Sequence, residues 1–258
     1  MLVPVRLPAL FVAVALVSCA SFEEARKDGG SAACAGLFCA SFDGPRFDDG
    51  WAVVAEPGGD DVLGSSFARG EDRPYRGAGF LRWAATPGGH FAEEHYLRKD
   101  VVIENDVEAL TAELAFRLTK PNATANDGKV DIFAFEWGKT EKLNTVTEVI
   151  VSLEGGNRLV AAVEQDAVDG LAPGDNFRGA GRALADSEWH VVRVELAMPL
   201  AGDVRATYFL DGQQWEAHSF APGPRPHADG VQLRVGGRSY GGVFDETILD
   251  FDEVVLSR

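Results

Sequence analysis

Apolar and polar residues alternate with a period of two along much of the chain, most clearly between Ser187 and Gln213. The runs His190–Met198 and Val204–Asp211 place an apolar or aromatic residue at nearly every second position. Because successive side chains of a strand point to opposite faces, this alternation predicts two half-buried strands. Asp211 and Gly212 then supply the positive-φ pair that tight hairpins favour. We therefore expect this stretch to be the central β-hairpin of a two-sheet sandwich.

The same alternation recurs in runs separated by turn-forming residues. The further predicted strand segments are Ser41–Gly44, Trp51–Ala55, Gly77–Ala85, Phe91–Val102, Leu110–Lys120, Lys129–Trp137, the Glu148–Glu164 hairpin, Val231–Val235 and Ile248–Ser257. The Gly-rich segment Asp169–Asp186 is predicted to be a long surface loop. About a dozen strands without a convincing amphipathic helix predict an all-β fold, a two-sheet antiparallel β-sandwich of the jelly-roll type.

Several short motifs resemble the laminin-G-like, concanavalin A-like jelly-roll superfamily. They are the Trp189-His190 pair that opens a strand, the strand ending Phe209-Leu-Asp-Gly-Gln213, the opening Phe42-Asp43-Gly44 followed by Trp51, and the closing segment Phe244–Ser257. The resemblance implies a sandwich that lectins, binding modules and glycan-cleaving enzymes share. The fold therefore does not select a function by itself.

The first residues have the pattern of an export signal. Met1–Arg6 carries one positive charge, and Leu7–Val17 is an apolar run too short to span a bilayer. The run ends in Leu16-Val17-Ser18-Cys19, which resembles the bacterial lipoprotein box and implies that residues 1–18 are removed and Cys19 is lipidated. The alternative is an ordinary secretory signal cleaved near Ala20.

The remaining chain then divides into two parts. Residues 19–33 are polar and without periodicity, so they are predicted to be a flexible tether, and residues 34–258 are predicted to be the sandwich domain. Ala20 follows Cys19 where an Asp would indicate retention in the inner membrane, so the resemblance implies an outer-membrane lipoprotein. Of the other two cysteines, Cys34 and Cys39, an exported chain is expected to make a disulfide.

The charge of the chain restricts its partners. The 258 residues contain 24 Lys and Arg against 40 Asp and Glu, a formal net charge of −16. Such a surface repels polyanions, which argues against nucleic-acid binding. It also argues against a lyase that acts on acidic polysaccharides, since that enzyme needs a basic cleft.

Paired carboxylates are the first candidate for catalysis, because glycoside-cleaving members of the superfamily use two of them. The nearest fit is Asp131 and Glu136, but five residues of regular strand place them on opposite faces. They could not then flank one glycosidic bond, which needs carboxyl groups about 5 Å apart or about 6.5–9.5 Å apart. Surface charges on a strand are the simpler interpretation.

An enzyme is kept as the alternative hypothesis, with Glu113, Asp131 or Glu136 acting beside His95. Tyr96 or Tyr208 would be the proton donor in a lyase. His90 and His95 do not match zinc-protease spacing, since a strand places them on opposite faces.

Asp43 and Asp252 are the candidate ligands of a structural Ca²⁺. They lie in the first and last strands, which are neighbours in jelly rolls that this chain resembles, and Ca²⁺ favours carboxylate and carbonyl oxygens. Asp252 is expected to share a face with Val254 and Leu256, so its carboxylate would be partly buried and need a partner. Backbone N–H groups could satisfy it equally well.

A glycan-binding platform is predicted from the strand tryptophans. Core packing explains most of these, but Trp137 and Trp189 are expected to be exposed, with Arg193 and Glu195 on the face of Trp189. We therefore expect a lipid-anchored envelope protein that binds a glycan or a surface protein without catalysis. The alternatives are a glycoside hydrolase or polysaccharide lyase of the same fold, and a structural envelope protein.

Overall fold

Strands, turns and loops make up the part of the chain that the structure describes. The computed structural model describes residues 36–56, 64–85, 94–103, 107–120, 129–137, 147–155, 157–165, 176–184, 187–221, 230–240 and 247–258. These ranges contain sixteen strands in two sheets, and every pairing is antiparallel. Within them, no helix has the length and apolarity that a membrane crossing needs.

Sheet I has eight strands. They are β1 (Phe38–Ala40), β3 (Ser65–Gly70), β4 (Phe80–Ala85), β6 (Ala109–Lys120), β12 (Trp189–Ala197), β13 (Val204–Leu210), β14 (Gln213–Phe220) and β16 (Ile248–Ser257). Their order is β14-β13-β12-β6-β16-β4-β3, and β1 also pairs with β16.

Sheet II also has eight strands. They are β2 (Ala52–Glu56), β5 (Glu94–Val101), β7 (Lys129–Trp137), β8 (Thr147–Glu154), β9 (Arg158–Gln165), β10 (Asn176–Arg178), β11 (Arg182–Ala183) and β15 (Val231–Tyr240). Their order is β10-β9-β8-β7-β15-β5-β2, and β11 also pairs with β9.

The inner faces of the sheets form one continuous apolar core, as the alternation predicts. Leu114 and Phe116 from sheet I and Phe133 and Phe135 from sheet II are buried in it. The hydroxyl of Tyr208, on β13, donates a hydrogen bond of 2.7 Å to the carbonyl of Ala162 on β9 and so links the two sheets. The predicted all-β, two-sheet antiparallel sandwich is confirmed.

The predicted hairpin is formed by β12 and β13, with Val194 opposite Tyr208. Asp211 (φ 51°) and Gly212 (φ 75°) make the tight turn into β14. Because β14 forms the edge of sheet I, the hairpin lies beside that edge and is not central. Strands β10 and β11 lie within Asp169–Asp186, which the sequence predicts to be a loop.

Two of the β-bulges in the described strands bear on candidate residues. In β7 the pairing steps from Asp131 opposite Ser152 to Phe133 opposite Val151, so Ile132 is an extra residue. In β16 it steps from Asp252 opposite Ala115 to Val254 opposite Leu114, with Glu253 as the extra residue at φ 38°. An extra residue changes which face the following side chains occupy. Both bulges change the expected faces of candidate residues.

The outer face of sheet I holds a buried ion-pair network. Asp250 on β16 has no exposed surface and accepts hydrogen bonds from Arg82 (2.7 and 3.1 Å) and Arg117 (3.0 and 2.7 Å). Arg117 also donates to the carbonyls of Arg73 (3.1 Å) and Asp72 (3.3 Å). The network therefore joins three strands to the segment before β4.

Candidate active site

Ionisable side chains collect on the outer face of sheet II, where three strand pairings bring them together. Seven residues form what is called the outer cluster below: Glu94 and Tyr96 on β5, Asp131 and Glu136 on β7, Glu148 on β8, and Arg234 and Arg238 on β15. Glu136 lies opposite Glu148, and Arg238 lies opposite both Glu94 and Asp131. A small apolar group beside them, Ala134, Ile150 and Ala162, is buried on the same face.

The two arginines hold the carboxylates together. Arg234 lies 2.7 Å from Glu148 and 3.7 Å from Glu136, whereas Arg238 lies 3.0 Å from Glu94 and 3.3 Å from Glu148. Glu148 therefore bridges both guanidinium groups. Arg234, Glu136 and Glu148 are each less than a tenth exposed, so water screens these pairs weakly.

Tyr96 lies between the two ends of this network. Its hydroxyl donates to Glu94 at 3.3 Å, and the guanidinium of Arg234 lies 5.5 Å from the centre of its ring. Burial raises the pKa of Tyr96 above its ordinary value, although the charge of Arg234 opposes the shift. The phenol is therefore protonated near neutral pH and can act as a hydrogen-bond or proton donor.

Asp131 differs from the other carboxylates of the outer cluster. Its Oδ1 accepts a hydrogen bond of 2.7 Å from Ser152 and lies 3.2 Å from the ammonium of Lys129. Its Oδ2 is buried and has no hydrogen-bond partner among the described residues. Burial raises the pKa of Asp131, while Lys129 lowers it, and the net direction is upward. A buried carboxyl with a raised pKa has the properties of a general acid.

A small, shallow recess opens beside these groups. Its lining includes Tyr96, Asp131, Arg234, Gly236 and Arg238. Gly236 has a φ of 123°, and a Cβ atom there would lie 2.7 Å from the ring of Phe67. The backbone at this point of the recess therefore requires glycine.

Asp131 and Glu136 share one face, so the expectation that they lie on opposite faces is wrong. The extra residue Ile132 turns Asp131 to the outer face that Glu136 already occupies. Their partners on β8, Ser152 and Glu148, are four residues apart, which is roughly 13 Å along a strand. Directly opposite residues such as Glu136 and Glu148 have Cβ atoms about 5 Å apart. The bulge thus unites the carboxylates on one face, but the closest pair is Glu136 with Glu148.

His95 is not part of the outer cluster. It faces the space between the sheets, where its Nδ1 lies 2.8 Å from the hydroxyl of Ser65 and its ring lies 4.5 Å from that of Phe67. His95 directly precedes Tyr96 in a regular strand, so the two side chains point to opposite faces. The expected pairing of His95 with Asp131 or Glu136 is therefore wrong, and His90 lies outside the described residues.

The other candidate residues lie elsewhere. Glu113 is on β6 opposite Arg193, so it belongs to sheet I. Trp137 is 3% exposed and packs against Phe220 in the core, which corrects the expectation that it is exposed. Core packing, the alternative that the sequence left open, explains this tryptophan.

Trp189, Arg193 and Glu195 lie on the outer face of sheet I. Trp189 is half-buried, because Arg117 lies 4.8 Å over its ring and its Nε1 donates to the carbonyl of Arg73 at 2.8 Å. Arg193 lies 4.2 Å over the ring of Phe209 and 3.2 Å from Glu195. These side chains share a face with one another but not with the outer cluster.

Asp43 and Asp252 both bind backbone N–H groups. Asp43 accepts from Ala78 and from Gly79 (3.1 Å), and Asp252 accepts from Arg76 (3.0 Å) and Glu253 (2.8 Å). The bulge at Glu253 places Asp252 on the outer face, away from Val254 and Leu256, which corrects the expected face.

This arrangement does not fit Ca²⁺, which takes about six to eight oxygen ligands. Backbone N–H groups already donate hydrogen bonds to both carboxylates. Nor do the described residues contain a group of three or more His, Cys, Asp or Glu side chains that could hold a metal ion. The geometry agrees with the N–H alternative, and calcium binding stays an untested prediction.

Three predictions concern the N-terminal cysteines. Cys34 lies outside the described residues, so its disulfide with Cys39 stays a prediction. Cys19, with the signal and tether around it, also lies outside the described residues.

Sequence reasoning missed Glu94, Glu148, Arg234 and Arg238. A usable signal was present, because Arg234 and Arg238 are four residues apart and share a strand face across two glycines. Charged residues that recur on one face of a strand otherwise rich in Val, Leu and Gly indicate a polar outer surface. The partners of these arginines depend on strand order, which the alternation does not reveal.

The sequence matches no protein-family model, and no curated protein matches it. Its fold is similar to that of solved structures. One is an endo-β-1,4-glucuronan lyase from the fungus Trichoderma reesei, at TM-score 0.51 and 14% identity, covering 79% of this chain and 94% of that one.

Two further structures are alike in fold. A carbohydrate esterase from the Shiga toxin-encoding bacteriophage phi24B aligns at TM-score 0.53 and 13% identity, covering 86% of this chain and 98% of that one. An alginate lyase from Chlorella virus aligns at TM-score 0.51 and 11% identity, covering 81% and 93%. At these identities the likeness shows the fold, and the chain is a two-sheet antiparallel β-sandwich of the jelly-roll type.

Proposed function

We propose that this protein cleaves glycans at the recess on the outer face of sheet II. The observation that carries the proposal is Asp131, a buried carboxyl whose Oδ2 has no hydrogen-bond partner among the described residues and which lines the recess beside Tyr96. A proton donor next to further carboxylates is the equipment that glycosidic bond cleavage needs. Solved proteins of similar fold include two named as polysaccharide lyases, which supports a glycan as the substrate class.

The roles follow from the positions of the side chains. Asp131 would protonate the leaving oxygen, and Tyr96 would hydrogen-bond the sugar. Glu94, which lies two strands from Asp131 with Arg238 between them, would be the second carboxylate, since Glu136 and Glu148 lie roughly 13 Å further along the strands. Ion pairing to a fixed guanidinium holds a carboxylate in one orientation, so a metal ion is not needed for that purpose.

The test is product release from a panel of polysaccharides, both uncharged and uronate-containing. We expect the wild-type protein to release reducing ends and Asp131→Asn to lose about 10²–10⁴-fold in rate, as expected for removal of a general acid. Glu108→Gln is the matched control, because Glu108 is exposed and directly precedes β6 of sheet I, whereas the outer cluster lies on sheet II. Equal rates for wild type and Asp131→Asn would refute the role of Asp131.

Glycan binding without cleavage is the second candidate. It is favoured by the ion pairs that engage Glu94, Glu136 and Glu148, since a carboxylate held by arginine is a weaker base. A protein that binds an oligosaccharide by calorimetry, yet releases no product from the same oligosaccharide, would establish this function instead.

We also propose that the protein is exported and anchored by lipid on Cys19, with Cys34 and Cys39 joined in a disulfide. The supporting observations are the signal-like residues 1–18 and the three cysteines of the chain. Intact-mass measurement of protein extracted from membranes tests both points. Cys19→Ser is expected to remove the lipid mass, and reduction is expected to expose two thiols.

A further inference from the structure

Two arginines and four carboxyl groups meet in the outer cluster, and this balance bears on the charge of the substrate. Arg234 and Arg238 lie within ion-pair distance of Glu94, Glu136 and Glu148. Asp131 is the fourth carboxyl group, and it lines the recess together with both arginines.

The neighbouring cations on this face are engaged in the same way. The ammonium of Lys129 lies 3.2 Å from Asp131 and 2.9 Å from Glu164, and Arg98 lies 3.9 Å from Asp100. A uronate carboxylate that entered the recess would therefore compete with carboxylates already in place.

A hydroxyl group meets no such penalty. It can accept a hydrogen bond from the protonated Asp131 or from Tyr96 without adding a negative charge to the cluster, so an uncharged sugar satisfies the buried carboxyl group at no electrostatic cost. We infer that the recess accepts a hydroxyl group of an uncharged sugar and rejects a uronate carboxylate, so that the substrate is a neutral glycan. This inference rests on the proposed function, because it names the substrate class of the same site.

A neutral substrate also determines the type of reaction. Elimination needs a carboxyl group on the sugar to make the adjacent C–H acidic, and a neutral sugar has none. Cleavage is then hydrolysis: the glycosidic C–O bond breaks with its electron pair on the leaving oxygen, which takes a proton from Asp131. Water supplies the hydroxyl group to the anomeric carbon, and its proton goes to a carboxylate of the cluster.

The experiment compares oligosaccharides of the same linkage that differ only at C6, namely β-1,4-linked glucose and β-1,4-linked glucuronic acid, with β-1,3-linked glucose as a further neutral probe. Binding to the wild type, by calorimetry at a temperature where no product forms, and cleavage by the wild type are both measured. We expect a neutral probe to be preferred at least about tenfold over the uronate. We expect added salt to reduce the ratio between the neutral probe and the uronate, because salt screens the repulsion of the uronate.

A variant tests the cause. Glu148→Gln removes the carboxylate shared by Arg234 and Arg238, so it is expected to reduce the preference for the neutral probe about tenfold. Glu136→Gln, which frees only Arg234, is expected to have a smaller effect in the same direction. Glu108→Gln is the control, and thermal melting of each variant shows whether it is folded.

The outcomes separate the two levels of the proposal. Preference for glucuronic acid in the wild type would overturn the inference and leave glycan cleavage standing. An unchanged preference in both folded Glu→Gln variants would also overturn it, because charge in the cluster would not be the cause. If no probe or polysaccharide is bound or cleaved, the proposed function fails and this inference fails with it.

Discussion

Asp131 is the residue on which the proposed chemistry depends most directly. Its carboxyl group is buried, one oxygen is held by Ser152, and the other lines the recess. Burial favours the neutral acid, whereas the neighbouring Lys129 favours the carboxylate. The balance between these two effects is open to a direct test.

The activity should fall as the pH rises through the pKa of Asp131, because a general acid must be protonated. Lys129→Met removes the charge that lowers this pKa, so the basic limb of the pH–rate profile should move to higher pH. Lys120→Met, at an exposed position, is the control and should leave the limb in place. A basic limb that moves to lower pH in Lys129→Met would contradict the assignment.

Burial also shifts the pKa of Asp252, whose carboxyl group has a structural role. Burial raises its pKa to about 7, although N–H groups of Arg76 and Glu253 lower it. The folded chain then binds a proton more tightly than the unfolded chain, whose aspartates titrate near pH 3.9. The free energy of unfolding should therefore fall between about pH 4 and pH 7, by on the order of 2–4 kcal/mol. Urea denaturation in EDTA across this range measures the effect, which Asp252→Asn should lack.

Calcium would reverse that behaviour. A bound cation favours the carboxylate, so the stability would rise with pH and with calcium. We expect the same melting temperature in EDTA and in millimolar calcium, since the described N–H groups already satisfy Asp43 and Asp252. A higher melting temperature in calcium would restore the predicted site.

At the level of elements, the alternation of residues predicts strands well and faces only where the pairing is regular. Strands β12 and β13 follow the expected pattern because no extra residue interrupts either of them. Strand β6 also follows it, because its pairing with β12 is regular. One inserted residue in β7 and one in β16 reverse the faces of Asp131 and Asp252. Nothing in either run distinguishes these residues from regular strand, because Ile132 and Glu253 are ordinary strand residues in type.

The alternation of residues does not predict the order of the strands either. Glu148 and Arg234 are 2.7 Å apart although more than eighty residues separate them in the chain. Their contact exists because β15 pairs with β7, which in turn pairs with β8. The sequence therefore predicts the sandwich and several of the side chains on its surface, but not the cluster that its topology assembles.

A further irregularity lies in β15, where the register against β7 shifts between Val235 and Arg238, on either side of Gly236. Gly236→Ala should lower the free energy of unfolding by about 1–3 kcal/mol, because the new Cβ atom would meet Phe67 at a strained φ. Gly155→Ala is the matched control, since its φ of 54° is also positive but nothing lies within 4 Å. Chemical denaturation compares the two, and an equal loss in both would show that φ alone matters.

For the whole molecule, the two outer faces carry different kinds of polar network. The Asp250 network on sheet I joins β4, β6 and β16 and contacts backbone carbonyls of residues 72 and 73. The outer cluster on sheet II borders a recess instead. A network that binds its own backbone is suited to stability, and one that borders a recess is suited to a ligand.

Asp250→Asn should therefore destabilise the protein by about 3–5 kcal/mol, because it leaves the buried guanidinium of Arg117 without its counter-charge. Asp203→Asn, at an exposed turn, should cost less than about 0.5 kcal/mol. Thermal and urea unfolding of the two variants provide the comparison. Similar stabilities would mean that Arg117 finds another partner.

The pairing of β1 with β16 places Phe38 beside Leu256, so the first and last described strands are neighbours within sheet I. Because both strands belong to sheet I and the outer cluster lies on sheet II, a fusion partner or an immobilising tag placed directly before β1 or after β16 is joined to the sheet that does not carry the recess.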